Sequence, residues 1–432
     1  MEQAIVNQGA FTSVIEIKKD KVDALRRELK TIEDTVDSGA CPIDFRKLKT
    51  VHFMRWVILD EPQGGVSPYV SPPYLVLSTN YDLPLKSHLQ DVIEVGGQNL
   101  RNIYSHCKGF TEAKTDLSSY LIAGQVDYAA FYVGTRGRTV EEITEENKLR
   151  VAIQEFLDEP GYDRTKHAMA IRKDIQEFVS GETHLAWAKE HQRSVTQWKW
   201  FFWGKLYIAL LLIGLLFASF AGTLACLLLI WFCVVIRKEK REAIRGLPKV
   251  PTMGAPLLEQ KNREDRIVQN QLSNIVWIKP GWVRMATLRL VLTLITLLGR
   301  YLFVRGALGG IPTIHFARWV ILKDSRRVIF FSNFDGSWEN YLGDFIDKAA
   351  VGLTAIWSNC IGCPEAHRLI YGGAENEPHF KAWVRFNQLV TQVWYSKYDE
   401  LTVLNINNNS LIRLGLFGDK NLIETEQWLA RI

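Results

Sequence analysis

The strongest constraint on this chain is that it resembles itself. Residues 52 to 60 read HFMRWVILD and residues 315 to 324 read HFARWVILKD, with seven of the first eight positions identical. Two copies of one unit are expected to fold alike and to pack in a related way. After each copy comes a second apolar strand, YLVLSTNYD ending at Asp82 and RVIFFSNFD ending at Asp335, so Asn80 answers Asn333 and Asp82 answers Asp335. Tyr104-Ser105-His106-Cys107 then falls opposite Trp357-Ser358-Asn359-Cys360 at the same distance from the aspartates. The first copy has ten more residues between its strands, in the Pro/Gly/Ser-rich stretch EPQGGVSPYVSPP, which reads as an enlarged loop. Further on, FYVGTRGRTVEE and VWYSKYDELTVL occupy comparable places, each ahead of a helix.

Each unit therefore reads as strand, strand, long helix, irregular chain, strand, helix. The long helices are expected from Leu85 to Tyr104 and from Ser337 to Trp357; in the second, Phe345, Ile346, Ala349, Leu353 and Ile356 recur at the spacing of a face packed on a sheet. Layer packing then gives an α+β chain of antiparallel sheets, each covered on one side by helices, with two units related by a pseudo-two-fold axis.

Between the units lies a run of 31 residues without a charge, Leu206 to Ile236. As one helix it would be roughly 46 Å long, beyond the roughly 30 Å of a hydrocarbon core. A tilted helix, a hairpin turning near Ala221, Gly222 and Thr223, or a one-sided anchor would each accommodate it. Lys199 and Lys205 precede the run and Arg237, Lys238, Lys240 and Arg241 follow it, while Trp198, Trp200, Trp203 and Trp231 suit a headgroup belt. Positive charge at both ends favours a hairpin or one-sided anchor with both halves in the cytoplasm. The second apolar stretch, Leu290 to Gly299, is too short to span and reads as interfacial or core. The expected organisation is a helical segment over 1–50, unit 1 over 51–160, a helical connector over 161–200, a membrane hairpin or anchor over 201–236, a return connector over 237–305, and unit 2 over 306–432.

Charge and cysteine usage narrow the function classes. A formal net charge of +5 over 432 residues lacks the cationic footprint of a nucleic-acid binder. The N-terminus shows no apolar core of a signal peptide, and Cys226 and Cys233 lie inside the uncharged run, so a reducing compartment is expected rather than a disulfide scaffold. Cys360 and Cys363 have dithiol or zinc-ligand spacing.

The period of two in the repeated strands sends His315 and Arg318, or His52 and Arg55, to opposite faces unless a bulge intervenes. Packing duty is the plain reading for them. A sharper candidate is FSNFDGSWENYLGDF, where a strand ends in Asn333-Phe334-Asp335-Gly336 and Ser337 caps a helix, placing Asp335 and free backbone N–H groups at the mouth of a sheet. This Asp-Gly element, with tandem ferredoxin-like units, resembles the dimeric α/β barrel superfamily and, within it, the dye-decolourising peroxidases, whose motif is Gly-x-x-Asp-Gly; Ser332 stands where its first glycine belongs. The resemblance implies a pseudo-dimeric α/β barrel; the central membrane-inserted helical segment, read from the uncharged run, is foreign to those enzymes. The resemblance further implies haem as cofactor, Asp335 as distal acid, Arg385 as distal cation, His367 or His379 as the iron ligand, and Asn333 and Gly336 lining the site. The expected function is membrane-anchored, haem-dependent peroxidase-type oxidation of a small or hydrophobic substrate. The alternative is a nonenzymatic module that collects hydrophobic ligands or scaffolds at the membrane surface. Partners are then the lipid bilayer and a hydrophobic or other small-molecule ligand, with a homo-oligomer left open and nucleic acid excluded. A lipid-modifying hydrolase requires a Ser or Cys nucleophile within reach of a histidine.

Overall fold

Both repeated segments are central strands, because every one of their side chains finds cover. The computed structural model describes residues 8–36, 38, 40–60, 71–163, 165–189, 206–212, 214, 221–242, 255–264, 267–301, 308, 310–322 and 326–432. Its strands are β1 (Gln8–Glu16), β2 (Val51–Leu59), β3 (Tyr74–Asp82), β4 (Tyr128–Val133), β5 (Gln269–Trp277), β6 (Ile314–Ile321), β7 (Arg327–Asp335), β8 (Ala366–His367), β9 (Tyr371–Gly372) and β10 (Thr391–Ser396). The helices used below are α1 (Val22–Glu33), α2 (Leu85–Ser105), α3 (Leu117–Ala123), α4 (Val140–Asp158), α5 (Ala168–Gly181), α6 (Ala221–Glu242), α7 (Ala255–Glu264), α8 (Trp282–Tyr301), α9 (Trp338–Trp357), α10 (Glu377–Phe386), α11 (Val403–Leu416) and α12 (Leu422–Leu429).

Two antiparallel sheets result, in the orders β1-β3-β2-β10 and β4-β6-β7-β5. The last strand of each half is exchanged: β4 completes the second sheet and β10 completes the first. On the outer face of the first sheet, Met54, Trp56 and Ile58 pack with Leu25 and Leu29 of α1 and with Leu89 and Leu100 of α2. The second sheet is covered in the same way by Leu288 and Leu292 of α8 and by Phe345 and Leu353 of α9. Between the sheets lie Val57, Leu59 and Val76 against Val320, Ile329 and Phe331. Each such fully buried side chain contributes about 1.5–3 kcal/mol, and because the exchanged strands contribute to both cores, neither half keeps a complete core alone.

The repeat reaches further upstream than its sequence shows. Gln8 to Lys18 and Gln269 to Lys279 share only Gln at the start and Ile-Lys at the end. Yet Gln8 Nε2 donates to Arg138 O at 2.7 Å and Gln269 Nε2 to Leu401 O at 2.5 Å, one on each side of the pseudo-axis. Ile17 bridges Cys107 just as Ile278 bridges Cys360. Thus Gln8–Glu16, inside the stretch read as an N-terminal helical segment, is a strand, and β5 lies inside the expected connector.

Several expectations are corrected. The strands form two separate open sheets rather than a barrel; at the outer edges isolated bridges occur, Ser13 with Gln125 and Asn274 with Gln388, and among the described residues no ladder closes the ring. Among the described residues no helix is long and apolar enough to cross a membrane. Within the uncharged run, residues 206–212 and 214 are helical, and α6 runs from Ala221 into the charged residues Arg237 to Glu242; 213 and 215–220 lie outside the described residues. Ala221, Gly222 and Thr223 lie within this helix, so they form no hairpin turn. The C-terminal half of α6 is docked on the body, with Trp231 Nε1 donating to Thr287 Oγ1 at 3.1 Å and Glu239 accepting from Leu369 N at 2.8 Å. Among the described residues, a central membrane-inserted segment, a bilayer partner and a topology with both halves on the cytoplasmic face therefore have no spanning helix to rest on. Trp198, Lys199, Trp200, Trp203 and Lys205 lie outside the described residues. The second apolar stretch belongs to α8, which buries Leu288 and Leu292 and leaves Leu290, Leu294 and Leu297 exposed.

Candidate functional site

A bulge decides where the repeated histidines point. The register shifts between Val51 and Phe53 in β2 and between Ile314 and Phe316 in β6, so each histidine sits on the irregularity. His52 and His315 thereby join the intersheet face instead of opposing it. His52 stacks near Phe316 and Phe53 near His315, both at 5.3 Å between centroids. His52 Nε2 meets Asp82 Oδ1 at 2.9 Å, and Asp82 Oδ2 accepts from Val140 N at 2.8 Å. His315 Nε2 meets Asp335 Oδ1 at 2.6 Å, and Asp335 Oδ2 accepts from Val403 N at 2.8 Å. Each aspartate thus ties a histidine to the first turn of α4 or α11, where a carboxylate is favoured. These pairs are buried pins between layers.

The repeated arginines cross from sheet to sheet. Arg55 donates to Gln271 Oε1, Leu272 O, Ser273 Oγ and Ser332 O at 2.9–3.1 Å, and also to Asn333 Oδ1. Arg318 reaches the other way, to Thr79 O at 2.7 Å, Phe11 O at 3.0 Å and Ser78 Oγ. Both guanidinium groups lie over the ring of Phe331, at 5.5 and 5.4 Å. Burial pulls both pKa values down, Arg318 to about 9, which leaves it protonated at neutral pH. Among the described residues neither arginine is paired with an acid; backbone carbonyl, side-chain amide and hydroxyl oxygens accept from them.

The residues read from sequence as a haem site do not converge on one pocket. Asp335 is committed to His315 and α11. Arg385 is committed to Glu264, at 2.8 and 3.0 Å, and to Gln388 Oε1 at 3.0 Å, with its guanidinium 3.7 Å over Trp338. His367 is exposed on β8, and His379 is exposed on α10 with Nδ1 2.8 Å from Asn376 Oδ1. Asn333 accepts from Arg55 and from Trp394 Nε1, while Gly336, at a φ of 78° that favours glycine, offers its carbonyl to Asn270 at 2.8 Å. No group of three or more His, Cys, Asp or Glu among the described residues could hold a metal ion. The residues named for the haem site are thus engaged elsewhere or set apart on the surface, and nothing among the described residues supports a haem-dependent peroxidase. Cys360 and Cys363 are free thiols, and burial raises both pKa values, Cys363 to about 12. That suppresses the thiolate that dithiol or zinc chemistry needs. Nor does a Ser or Cys hydrogen-bond to a histidine among the described residues, so the hydrolase reading gains no support there.

A concave feature lies elsewhere. A cleft of about 700 Å³ opens where the first sheet meets the second half of the chain. One wall is α1, with Arg26, Arg27, Lys30 and Thr31; the opposite wall is α7, with Glu259, Gln260 and Glu264; the floor holds Asn270 and Gln271 of β5 and Thr391, Gln392 and Trp394 of β10. Strand exchange creates it, because β10 brings second-half residues under a first-half helix. Trp394 is fixed at both ends, its backbone N donating to Glu33 at 3.0 Å and its Nε1 to Asn333 at 3.2 Å. Asn333, Gly336 and Arg385 each stand one residue behind this lining, through Trp394, Asn270 and Glu264 respectively. Sequence reasoning missed the cleft itself. The only signal was polar: β5 opens Gln-Asn-Gln although it is a buried strand.

Comparison with known protein families, with curated proteins and with solved structures finds no match. The likeness to the dimeric α/β barrel superfamily and its dye-decolourising peroxidases accordingly has no support beyond the short motif.

Proposed function

We propose that this chain is a binding protein for a small polar molecule, held in the cleft between α1, α7, β5 and β10. The observation that carries the reading is the cleft itself, whose volume of about 700 Å³ falls in the range of small-molecule sites, about 300–1,000 Å³. Its lining sets Arg26, Arg27, Lys30, Glu259, Glu264 and the amides of Gln260, Asn270, Gln271 and Gln392 beside Ile58, Ile267, Leu389, Val390 and one anchored indole, so it suits a polar ligand that also carries some apolar surface. Thr31, exposed on α1, allows a clean test. Thr31→Trp fills the cleft from a solvent-facing helix position without touching either core. A panel of metabolite-sized polar compounds screened by thermal shift should give ligands that stabilise the wild type and not Thr31→Trp. Failure of every compound, or equal stabilisation of the variant, would overturn the reading.

A further inference from the structure

We infer that the apolar face shared by α6 and α8 is covered by a second copy of this chain, whose own α6 lies in the groove between them. The groove begins where α6 crosses α8. Trp231 Nε1 donates to Thr287 Oγ1 at 3.1 Å and the Trp231 ring lies 5.3 Å from that of Trp282, while a Cβ on Gly281 would meet Lys238 Nζ at 2.9 Å. Going forward along α6 is therefore going backward along α8. The helices run antiparallel, and Leu227 to Ile230 extend from the crossing in the same direction as Leu290 to Leu298. They do not close on each other there. On α8, Leu290, Leu294, Leu297 and Leu298 are each 40–49% exposed, and their spacing puts them on one stripe in line with Thr287, the residue Trp231 touches. On α6, Leu227, Leu228, Leu229 and Ile230 are each 52–61% exposed, and four consecutive residues point to all sides of a helix. One wall of the groove is thus a leucine stripe, and the other is a helix apolar all round.

Area and charge choose the occupant. At roughly 100 Å² for each half-exposed side chain of this size, these residues and Phe232 show about 900 Å². The largest apolar patch of an ordinary monomer is about 300–600 Å², and each partner of a standard interface gives about 800 Å². A two-fold contact also sets residues against their own kind across the axis, which a charged face resists and an uncharged face allows. Neither 227–236 nor 290–299 contains a charged residue; charge begins at Arg237 on the docked half of α6 and at Arg289 beside the crossing. Reciprocal insertion gives each α6 the partner's α6 on one side and the partner's α8 on the other, which matches a helix that is apolar on every side.

Sedimentation velocity of the full chain in detergent-free buffer, combined with mass-spectrometric readout of maleimide labelling at Cys233, tests the assignment. Cys233 is exposed on α6 and stands one turn beyond Leu229, on the side away from Trp231. The chain should sediment as a dimer at micromolar concentration, and dilution into the monomer should speed Cys233 labelling severalfold. Leu229→Glu and Leu294→Glu, one on each wall and both at exposed positions, should each weaken the dimer about a hundredfold or more, because the two-fold repeats every buried charge. Ile423→Glu, at a 65% exposed position on α12, should leave the dimer intact. A monomer with freely labelled Cys233, or a dimer that survives both Leu229→Glu and Leu294→Glu, would overturn the inference. So would a monomer in which Cys233 is already shielded, the result expected if residues 206–212 of the same chain fill the groove, and a monomer in which shielding appears only on adding phosphatidylcholine vesicles.

Discussion

The two halves share their histidine, aspartate and arginine, and differ in what meets them on the far side. In the first half His52 is saturated: Nε2 faces Asp82 and Nδ1 lies 2.7 Å from the hydroxyl of Tyr398. In the second, His315 faces Asp335, but its Nδ1 has no partner among the described residues. The position answering Tyr398 is Thr135, each four residues before the threonine that caps the following helix. Thr135 is fully buried and its hydroxyl is likewise unpartnered. The shared residues are therefore those that pin a strand to a helix, and drift has been tolerated where a partner is reached from further along the chain. The arginines follow the same rule, Arg55 having five oxygen partners and Arg318 three.

Removing the arginines should break the halves unequally and most severely. Arg55→Ala should cost about 4 kcal/mol and Arg318→Ala about 3 kcal/mol, because each truncation strands buried acceptors and the first strands more. Urea unfolding of the two variants measures this directly. Equal losses would show that the partners are not what sets the cost. Next in size are the histidines: His52→Phe forfeits both Asp82 and Tyr398 and should cost about 3 kcal/mol, whereas His315→Phe forfeits Asp335 alone and should cost about 2 kcal/mol.

A third difference concerns pH. Six residues after each aspartate stand His88 and Tyr341. Both are buried rings stacked on a neighbour, Tyr81 at 4.2 Å and Phe334 at 3.7 Å, and both reach a hydroxyl, Thr79 at 2.9 Å and Ser332 at 2.7 Å. Burial lowers the His88 pKa from 6.5 to about 3, with His52 adding to the shift. The unfolded imidazole takes a proton below its ordinary pKa while the folded one refuses it. Stability from this group is therefore complete above pH 6.5 and declines as pH falls toward 3, by at most about 1.4 kcal/mol per pH unit. His88→Tyr imports the second half's arrangement and should flatten that slope in urea unfolding between pH 4 and 7. A slope unchanged by the substitution would place the titration elsewhere.

How much of this was legible follows from which residues touch within one copy. The strand pair and long helix of each unit could be read because the apolar periodicity and the aspartate spacing are local, and Ser337 does cap its helix, accepting from Asn340 N at 3.2 Å. β1 and β5 escaped because a strand buried by its neighbours needs only Gln at one end and Ile-Lys at the other to keep its contacts. Strand exchange also left no local trace: β10 pairs with β2 across more than three hundred residues of chain. Asp335 does accept from a helix terminus, but the terminus is that of α11 and not of the helix that follows it in the chain. Misreading the uncharged run had the same origin, since composition does not show that α6 docks its charged end on α8 and the β8-β9 turn.

The smallest effects bear on the comparison most directly. Tyr398→Phe strips His52 of its second partner and so makes the first half like the second; about 1 kcal/mol should be lost, the ordinary worth of one neutral hydrogen bond. Thr135→Val is the opposite case. If the hydroxyl of Thr135 makes no bond, replacing it by a methyl group of the same shape removes a buried polar atom and leaves stability unchanged or raised by up to about 1 kcal/mol. A loss of 1 kcal/mol or more in Thr135→Val would mean that the hydroxyl is bonded after all. His315 Nδ1, its unpartnered neighbour across the pseudo-axis, would then be the first place to look for the other end of that bond, and the asymmetry between the halves would shrink to the identity of the bridging group.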